Sequence, residues 1–286
     1  MWRRAEEQDL EWMFPFLYDH IQSSMFLLGN LRDFGLTSDA PYGMQIWVLE
    51  QGRGVFAISN SGTVLMQAPD FEHWDTAADL IRGRDIHGVL GDAPQVRAFL
   101  DAADLTNAPT HLNADDLGFH LDLTDIKVAP RPDDELHSLE HADRGLLEGW
   151  RADYNCEALG FPPELATEKA AQEIGKYIAH NSHRVLISGG EPVAMTGFNT
   201  QFEDVVQIGG VFTPKDKRGQ GHARQALAMH LLEARDAGAK QAVLFAANAA
   251  AARAYEAVGF RLAGTYALVL FSEVQKISTS PVEGCT

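Results

Sequence analysis

The sequence predicts a mixed α/β fold built as two consecutive units, and three observations carry that prediction. Short runs rich in β-branched and aromatic residues alternate with longer stretches of helical periodicity along most of the chain. One compositional break, Ala129-Pro-Arg-Pro-Asp-Asp-Glu135, sets prolines and acids between the strand-like Phe119-His-Leu-Asp-Leu-Thr124 and a new helical pattern. Late in the chain a glycine-rich turn, Arg218-Gly-Gln-Gly221-His-Ala223, separates an apolar extended run from a helix. The boundary is placed near Val128, giving units 1–128 and 129–286.

The first unit opens with a helical pattern around Trp12 to Leu28. Strands follow at Gln45–Glu50, Val55–Ser59 and Thr63–Ala68, then a short strand Ile86–Leu90 and a helix after Pro94. The second unit begins with an apolar helical face through Leu139, Leu146, Trp150 and Tyr154, then Pro162-Pro163 and a helix reaching about Ala179. Strands are expected at Arg184–Ser188, Val193–Asn199, Val205–Phe212 and Gln241–Ala247. Turns lie at Gly189-Gly190-Glu191 and Gln201–Asp204. After the glycine turn, Ala223, Leu227, Leu231 and Ala234 share one helix face and anchor its first turn against a core.

An extended strand that breaks into such a turn and then a helix aims several backbone N–H groups at one spot, which suits a phosphate or diphosphate. It is not a nucleotide-hydrolase loop, because no Lys followed by Ser or Thr closes it. The dinucleotide fingerprint also fits poorly, since the run reads R-x-x-G-x-A and comes late. The preceding strand contains Gly209 and Gly210, which weaken a strand and mark a bulge or a close backbone approach.

R-x-x-G-x-A after V-F-T-P resembles the acetyl-CoA loop of the GNAT superfamily of N-acyltransferases. Asn248, Ala252, Tyr255, Gly259 and Phe260 match that superfamily's N…A..Y…GF segment, and the likeness is nearly continuous from Leu186 to Phe271. Phe26-Leu-Leu-Gly-Asn-Leu-Arg-Asp-Phe34 resembles the N-terminal part of tandem members. The resemblance implies two GNAT-like units, each a mixed, mostly antiparallel sheet flanked by helices, with a degenerate first unit. Acetyl-CoA is then the co-substrate. Arg218, Gly219, Gln220, Gly221, His222, Ala223, Arg224 and Asn248 would hold it, and the backbone of Val211, Phe212 and Thr213 would pair with its pantetheine arm. A bulge at the two glycines would free N–H and C=O groups for that arm.

Acyl transfer to an amine needs alignment, N–H donors at the oxyanion and a proton source for the departing sulfur. The resemblance implies an oxyanion donor from the Gly210–Phe212 backbone and Tyr255 as general acid. A phenol with an ordinary pKa near 10 stays protonated at neutral pH. The general base is left open between Glu203, Asp204 and ordered water. Trp150, Tyr154 and Glu157 are candidate acceptor contacts, although the aromatics' helical spacing also fits a core and Glu157 also fits a solvated face. In the first unit, Gly91-Asp92-Ala-Pro94 is read as the place of the phosphate loop. There Asp92 and Pro94 replace free amides with a carboxylate and a missing donor, so this unit is expected not to bind CoA.

Composition bounds the partners. A formal net charge of −17 over 286 residues disfavours nucleic acid and favours cationic or neutral acceptors, such as a small amine or an amino-acid-like molecule. The charge argues against an aminoacyl-tRNA-dependent transferase. A non-catalytic acyl-CoA sensor and an acetyltransferase of protein N-termini or lysines remain open. Cys156 and Cys285 suggest neither a disulfide framework nor zinc, and no metal is expected. His137 and His141, spaced i, i+4 on an expected helix, lack the Glu and third ligand of a zinc site. No serine sits in a G-x-S-x-G elbow. The first residues carry no apolar leader and no stretch reaches bilayer length, so a cytoplasmic protein without membrane contact is expected. The polar tail after Ser272 is expected to fray.

Overall fold

Two units, Met1–Asp115 with Thr265–Thr286 and Asp116–Gly264, each build one sheet from the same succession of elements. The computed structural model describes residues 1–50 and 53–278. Unit 1 runs β1 (Trp2–Arg4), α1 (Leu10–Asp19), α2 (Ile21–Phe34), β2 (Met44–Leu49), β3 (Val55–Ser59), β4 (Thr63–Gln67), α3 (Trp74–Asp79), β5 (Ile86–Asp92) and α4 (Ala93–Ala102). The chain then enters β6 (Thr110–Asp122), whose residues from Asp116 onward belong to unit 2. Unit 2 continues with β7 (Asp134–Ser138), α5 (Arg144–Leu159), α6 (Pro163–Ala179), β8 (His183–Ser188), β9 (Glu191–Phe202) and β10 (Val205–Phe212). It ends with α7 (His222–Asp236), β11 (Gln241–Ala246), α8 (Ala249–Val258) and the start of β12 (Arg261–Gln275), which from Thr265 onward belongs to unit 1.

The strand order is β1-β2-β3-β4-β5-β12 in unit 1 and β7-β8-β9-β10-β11-β6 in unit 2. In each sheet one pair is parallel, β4 with β5 and β10 with β11. The last strand of each is antiparallel and comes from the other half of the sequence. The seam expected to divide the chain at Val128 therefore lies inside unit 2, where it links β6 to β7. Its prolines and acids mark a connection and not a domain boundary. The buried faces follow the exchange: Phe119 and Leu121 of β6 join the buried cluster of unit 2, while Ala267, Val269 and Phe271 of β12 join that of unit 1.

Each sheet carries helices on both faces. In unit 1, Phe56, Ile58, Val64, Met66 and Val89 pack against Trp74, Val96 and Phe99 of α3 and α4. On the opposite face, Ser23 and Ser24 of α2 hydrogen-bond Gln67 Oε1, Ser23 Oγ at 2.7 Å. In unit 2, Val206, Ile208 and Leu244 pack on Leu227 and Leu231 of α7 and Val258 of α8, while Val185, Met195 and Phe212 pack on Leu147 and Trp150 of α5 and Ile174 of α6. Among the described residues, no helix is long and apolar enough to cross a membrane.

Several local expectations change. The helix expected around Trp12–Leu28 is two helices broken at His20, whose backbone leaves the helical region at φ −110° and ψ 34°. Strands β1 and β7 and the short helix α3 are additional elements, each too short for a periodic signal. His137 lies on strand β7 and His141 in a 3-10 turn, not on one helix, and their rings stack at 4.8 Å. β12 runs through Ser272 to Gln275 where a frayed tail was expected, and beyond a register shift after Leu270 its Gln275 pairs with Ile86 of β5. Cys285 lies outside the described residues.

The loop equivalent to the glycine turn is also corrected. By element order the counterpart of the β10–α7 turn is Ala68–His73 between β4 and α3, whereas Gly91–Pro94 is the β5–α4 junction. Ala68-Pro-Asp-Phe-Glu-His73 holds no glycine and two acids, and its Ala68 N–H already donates to Gln95 Oε1 at 2.6 Å. Asp92 stands at the start of α4 beside Gln95, where burial raises its pKa.

Unit 2 buries a histidine in its core. His230 is 2% exposed and stacks on Phe198 at 3.8 Å, and burial, aided by the Arg184 charge, draws its imidazole down to about 3. The unfolded chain therefore takes up this proton first, so stability is full above about pH 6.5 and falls toward pH 3. By pH 5 the loss amounts to roughly 2 kcal/mol. Urea unfolding of the wild type and of His230→Leu between pH 7.5 and 5 should show a weaker pH dependence in the variant; parallel curves would contradict the assignment.

Candidate functional site

The site is organised by the parting of two parallel strands. β10 pairs with β11 only over Val205–Gln207, against Gln241–Val243, and its register with β9 shifts twice, after Gln207 and between Gly209 and Phe212. Gly210 sits at φ +63°, in the left-handed region. A Cβ on Gly209 would run into the Asn199 side chain, and one on Gly210 would come within 3.0 Å of His183 Nε2. The expected bulge is therefore present, and glycine is required at both positions.

Where β10 ends, the chain turns through Thr213–Gly221 into α7. Gly219 and Gly221 are left-handed at φ +78° and +81°. The first helical bond of α7 is Gln225 N–H to Gly221 O, and among the described residues nothing accepts from the N–H groups of Gly219 to Arg224. These are the orphan donors of a helix start, carrying its positive end. A Cβ on Gly221 would stand 2.9 Å from Arg131 Nη2 and 3.2 Å from Arg224 Nη2, so the cradle is lined by two guanidinium groups.

Side chains fix this turn in ways the sequence did not reveal. Arg131, from the link between β6 and β7, donates to Gln220 O at 3.0 Å, and Gln225 Nε2 reaches Ala129 O at 3.3 Å. Arg218 donates from Nε to Thr213 O at 2.8 Å and from Nη2 to Glu157 at 2.7 Å, and Lys215 reaches the same carboxylate at 3.1 Å. Glu157, considered as an acceptor contact, thus ties α5 to the turn, and despite desolvation its two cationic partners hold it below the usual carboxylate range. His222 turns its side chain inward, 8% exposed, and burial lowers its pKa.

On the α5–α6 face, Trp150 is a core residue, 5% exposed and tilted against Phe212 at 6.4 Å, which answers its candidacy as an acceptor contact. Tyr154 lies differently. Its hydroxyl accepts from the Gly210 N–H, Arg151 stacks over its ring at 4.6 Å, and burial raises its pKa. Arg151 is neutralised by Glu173 at 2.7 Å, which also accepts from Asn155 at 2.9 Å. His183 stacks on Tyr177 at 3.6 Å and is held neutral, its pKa driven well down by burial and by Arg151. Its Nε2, buried beside Gly210, has no hydrogen-bond partner among the described residues.

Tyr255, on α8, is half-buried against Phe260 and lies within electrostatic reach of Tyr154. Burial, Tyr154 and Asp116 all raise its pKa, so it stays protonated. Asn248 caps α8, its Oδ1 accepting from Ala250 and Ala251 N–H at 3.1 and 2.9 Å. The carboxylates considered as general base are elsewhere. Glu203 is exposed in the β9–β10 turn, and Asp204 pairs with Lys240 at 2.9 Å. From Val205 to Gly210 the strand rises about 16 Å, so neither is brought to the bulge. Arg151, Glu173, His183 and Asp116 lack any motif spacing and emerge only from the fold.

A family model described as acetyltransferase (GNAT) family matches residues 147–260, the stretch from α5 through α8 that carries the parted strands and the glycine turn. Unit 2 carries a GNAT-family domain. Solved structures agree on the fold across both units. A protein from Drosophila aligns with a TM-score of 0.62 at 13% identity, covering 94% of this chain and 98% of its own. A tandem GNAT protein from the clavulanic acid biosynthesis pathway gives 0.54 at 14%, covering 98% and 99%. A GCN5-related N-acetyltransferase from Kribbella flavida gives 0.53 at 14%, covering 89% and 95%. No curated protein matches the chain. The family model implies acyl transfer from an acyl-CoA.

Proposed function

We propose that the chain is an acetyl-CoA-dependent N-acyltransferase that moves an acetyl group to a small amine or amino-acid-like acceptor by direct attack on the thioester. The observation that carries this reading is the continuity of two open surfaces: the unpaired edge of β10 beyond Gln207 and the unengaged N–H groups of Gly219–Arg224. A diphosphate fits the second surface, where Arg131, Arg218 and Arg224 add positive charge to the helix start. The backbone of Val211, Phe212 and Thr213 offers an edge to an amide-bearing arm. Gln220 and Ala223 complete the turn, His222 contributes its N–H, and Asn248 keeps its amide nitrogen outside the α8 cap.

The thioester supplies an activated acetyl carbon and a sulfur leaving group. This chain's residues align the amine, receive charge at the carbonyl oxygen and protonate the sulfur. The Gly210 N–H is the nearest oxyanion donor, and Tyr154 holds it until the carbonyl takes its place. Tyr255, kept in its neutral form by burial, delivers a proton to the departing thiolate. Tyr154 and Tyr177, on either side of Arg151, wall the acceptor side.

Two variants test the assignment. Gly221→Asp puts a carboxylate and a strained left-handed residue into the cradle, and calorimetry with acetyl-CoA should show affinity falling by at least about 100-fold. Unchanged affinity would remove the turn from the site. Tyr255→Phe keeps the ring, so turnover in a thiol-release assay over an amine panel should drop about 100-fold while acetyl-CoA affinity stays within about twofold. A variant with normal turnover would exclude Tyr255 as the acid.

A further inference from the structure

On the α5–α6 face of the bulge two buried side chains keep hydrogen-bonding groups that nothing meets. Arg151, 6% exposed, gives its Nε–H to Glu173 at 2.7 Å, and among the described residues its Nη N–H groups have no hydrogen-bond partner. His183, 1% exposed, engages Ser182 Oγ through Nδ1 at 2.9 Å, and its Nε2 is the orphaned atom noted above. The two side chains converge over Gly210. A Cβ on that glycine would stand 3.0 Å from His183 Nε2 and 3.6 Å from Arg151 Nη1. Bare of a side chain, Gly210 leaves both nitrogens facing the space over its Cα.

Charge in this cluster is already balanced. Glu173 matches Arg151, so what is missing is a hydrogen-bonding partner and not a counter-ion. The rings of Tyr154 and Tyr177 cover the guanidinium at 4.6 and 5.4 Å, and a further negative charge among them would be poorly solvated. The Arg151 cation favours the His183 tautomer with its lone pair at Nε2, the proton lying on Nδ1 toward Ser182. One oxygen can then meet both groups, accepting from Arg151 Nη1 and donating to His183 Nε2. A hydroxyl does this, whereas a carboxylate has no proton to give and an alkyl group meets neither.

We infer that the space over Gly210 receives a hydroxyl group of the acceptor, so that the amines this enzyme acylates are amino alcohols. The inference rests on the acyltransferase reading above. Gly210 also carries the proposed oxyanion donor, so a hydroxyl seated there holds a short acceptor with its amine close to the thioester carbon. Both nitrogens are buried while Tyr154 occupies the Gly210 N–H, and the hydroxyl enters once the thioester carbonyl has displaced that phenol. Arg151 and His183 position the acceptor and take no proton from it.

The test measures kcat/KM for thiol release by the full chain over three matched series of straight primary amines: amino alcohols, alkylamines with methyl in place of hydroxyl, and amino acids with carboxylate there. The wild type should favour at least one amino alcohol over both counterparts by about tenfold or more. His183→Phe keeps a ring against Tyr177 but has no Nε2, and Arg151→Lys keeps the ion pair but not the Nη fork. Each should bring the hydroxyl preference within about threefold, with acetyl-CoA affinity by calorimetry held within about twofold. His183→Gln, whose amide reaches toward the Nε2 position, should restore part of the preference. A wild type that treats the three series alike, favours the amino acids, or binds acetyl-CoA yet acylates no amino alcohol would overturn the inference. So would a hydroxyl preference that survives in every variant that folds by circular dichroism. A wild type that binds no acetyl-CoA and releases no thiol with any amine would instead refute the acyltransferase reading itself.

Discussion

The rest of the site depends on β10 leaving β11 after Gln207. A parallel pair that continued would satisfy its own backbone groups and leave nothing for a ligand. Each buried N–H or C=O left unpaired costs about 1–3 kcal/mol, so the open edge is stable only where something else meets it. Gly209 and Gly210 make the parting sterically possible, since a side chain at either position would collide with Asn199 or crowd His183. Tyr154 meets the Gly210 N–H from the α5 side. The same bend delivers the chain to the turn whose amides open α7.

Charge divides the site into two regions of opposite character. Around the turn, Arg131, Arg218 and Arg224 concentrate positive charge in a strongly acidic chain, and Glu157 holds Arg218 and Lys215 in place. Around the bulge the ionisable groups are kept neutral or paired: His183 is discharged by burial, the Tyr154 and Tyr255 phenols keep their protons, and Arg151 is matched by Glu173. Pairing at the first surface holds its cations in place, as the proposed anion site requires. Low polarity at the second strengthens the charge pairs that remain there, Arg151 with Glu173 among them.

Much of the fold was legible in the sequence because the decisive signals are local. β3 and β10 run over Val55–Ser59 and Val205–Phe212 as expected, α6 ends at Ala179, and the glycine turn opens α7. Short elements were not legible, since three residues in β1 or six in α3 carry no period. The exchange of β6 and β12 could not be read either, because alternation says that a strand has a buried face but not which sheet buries it. At the candidate site, the turn and Tyr255 were proposed through motif spacing. Arg131 was hidden in a segment that reads as a spacer. Glu203 shows the converse: proximity in sequence to the key strand placed it at the wrong end.

Backbone amide hydrogen exchange with and without acetyl-CoA tests the central claim most directly, because it reads the very N–H groups that the account assigns to the ligand. Protection is expected to rise at Ile208–Thr213 and at Gly219–Arg224, with no change at Ala68–His73 in unit 1. Protection confined to unit 1, or exchange at the β10 edge and the glycine turn that stays the same at saturating acetyl-CoA, would contradict it.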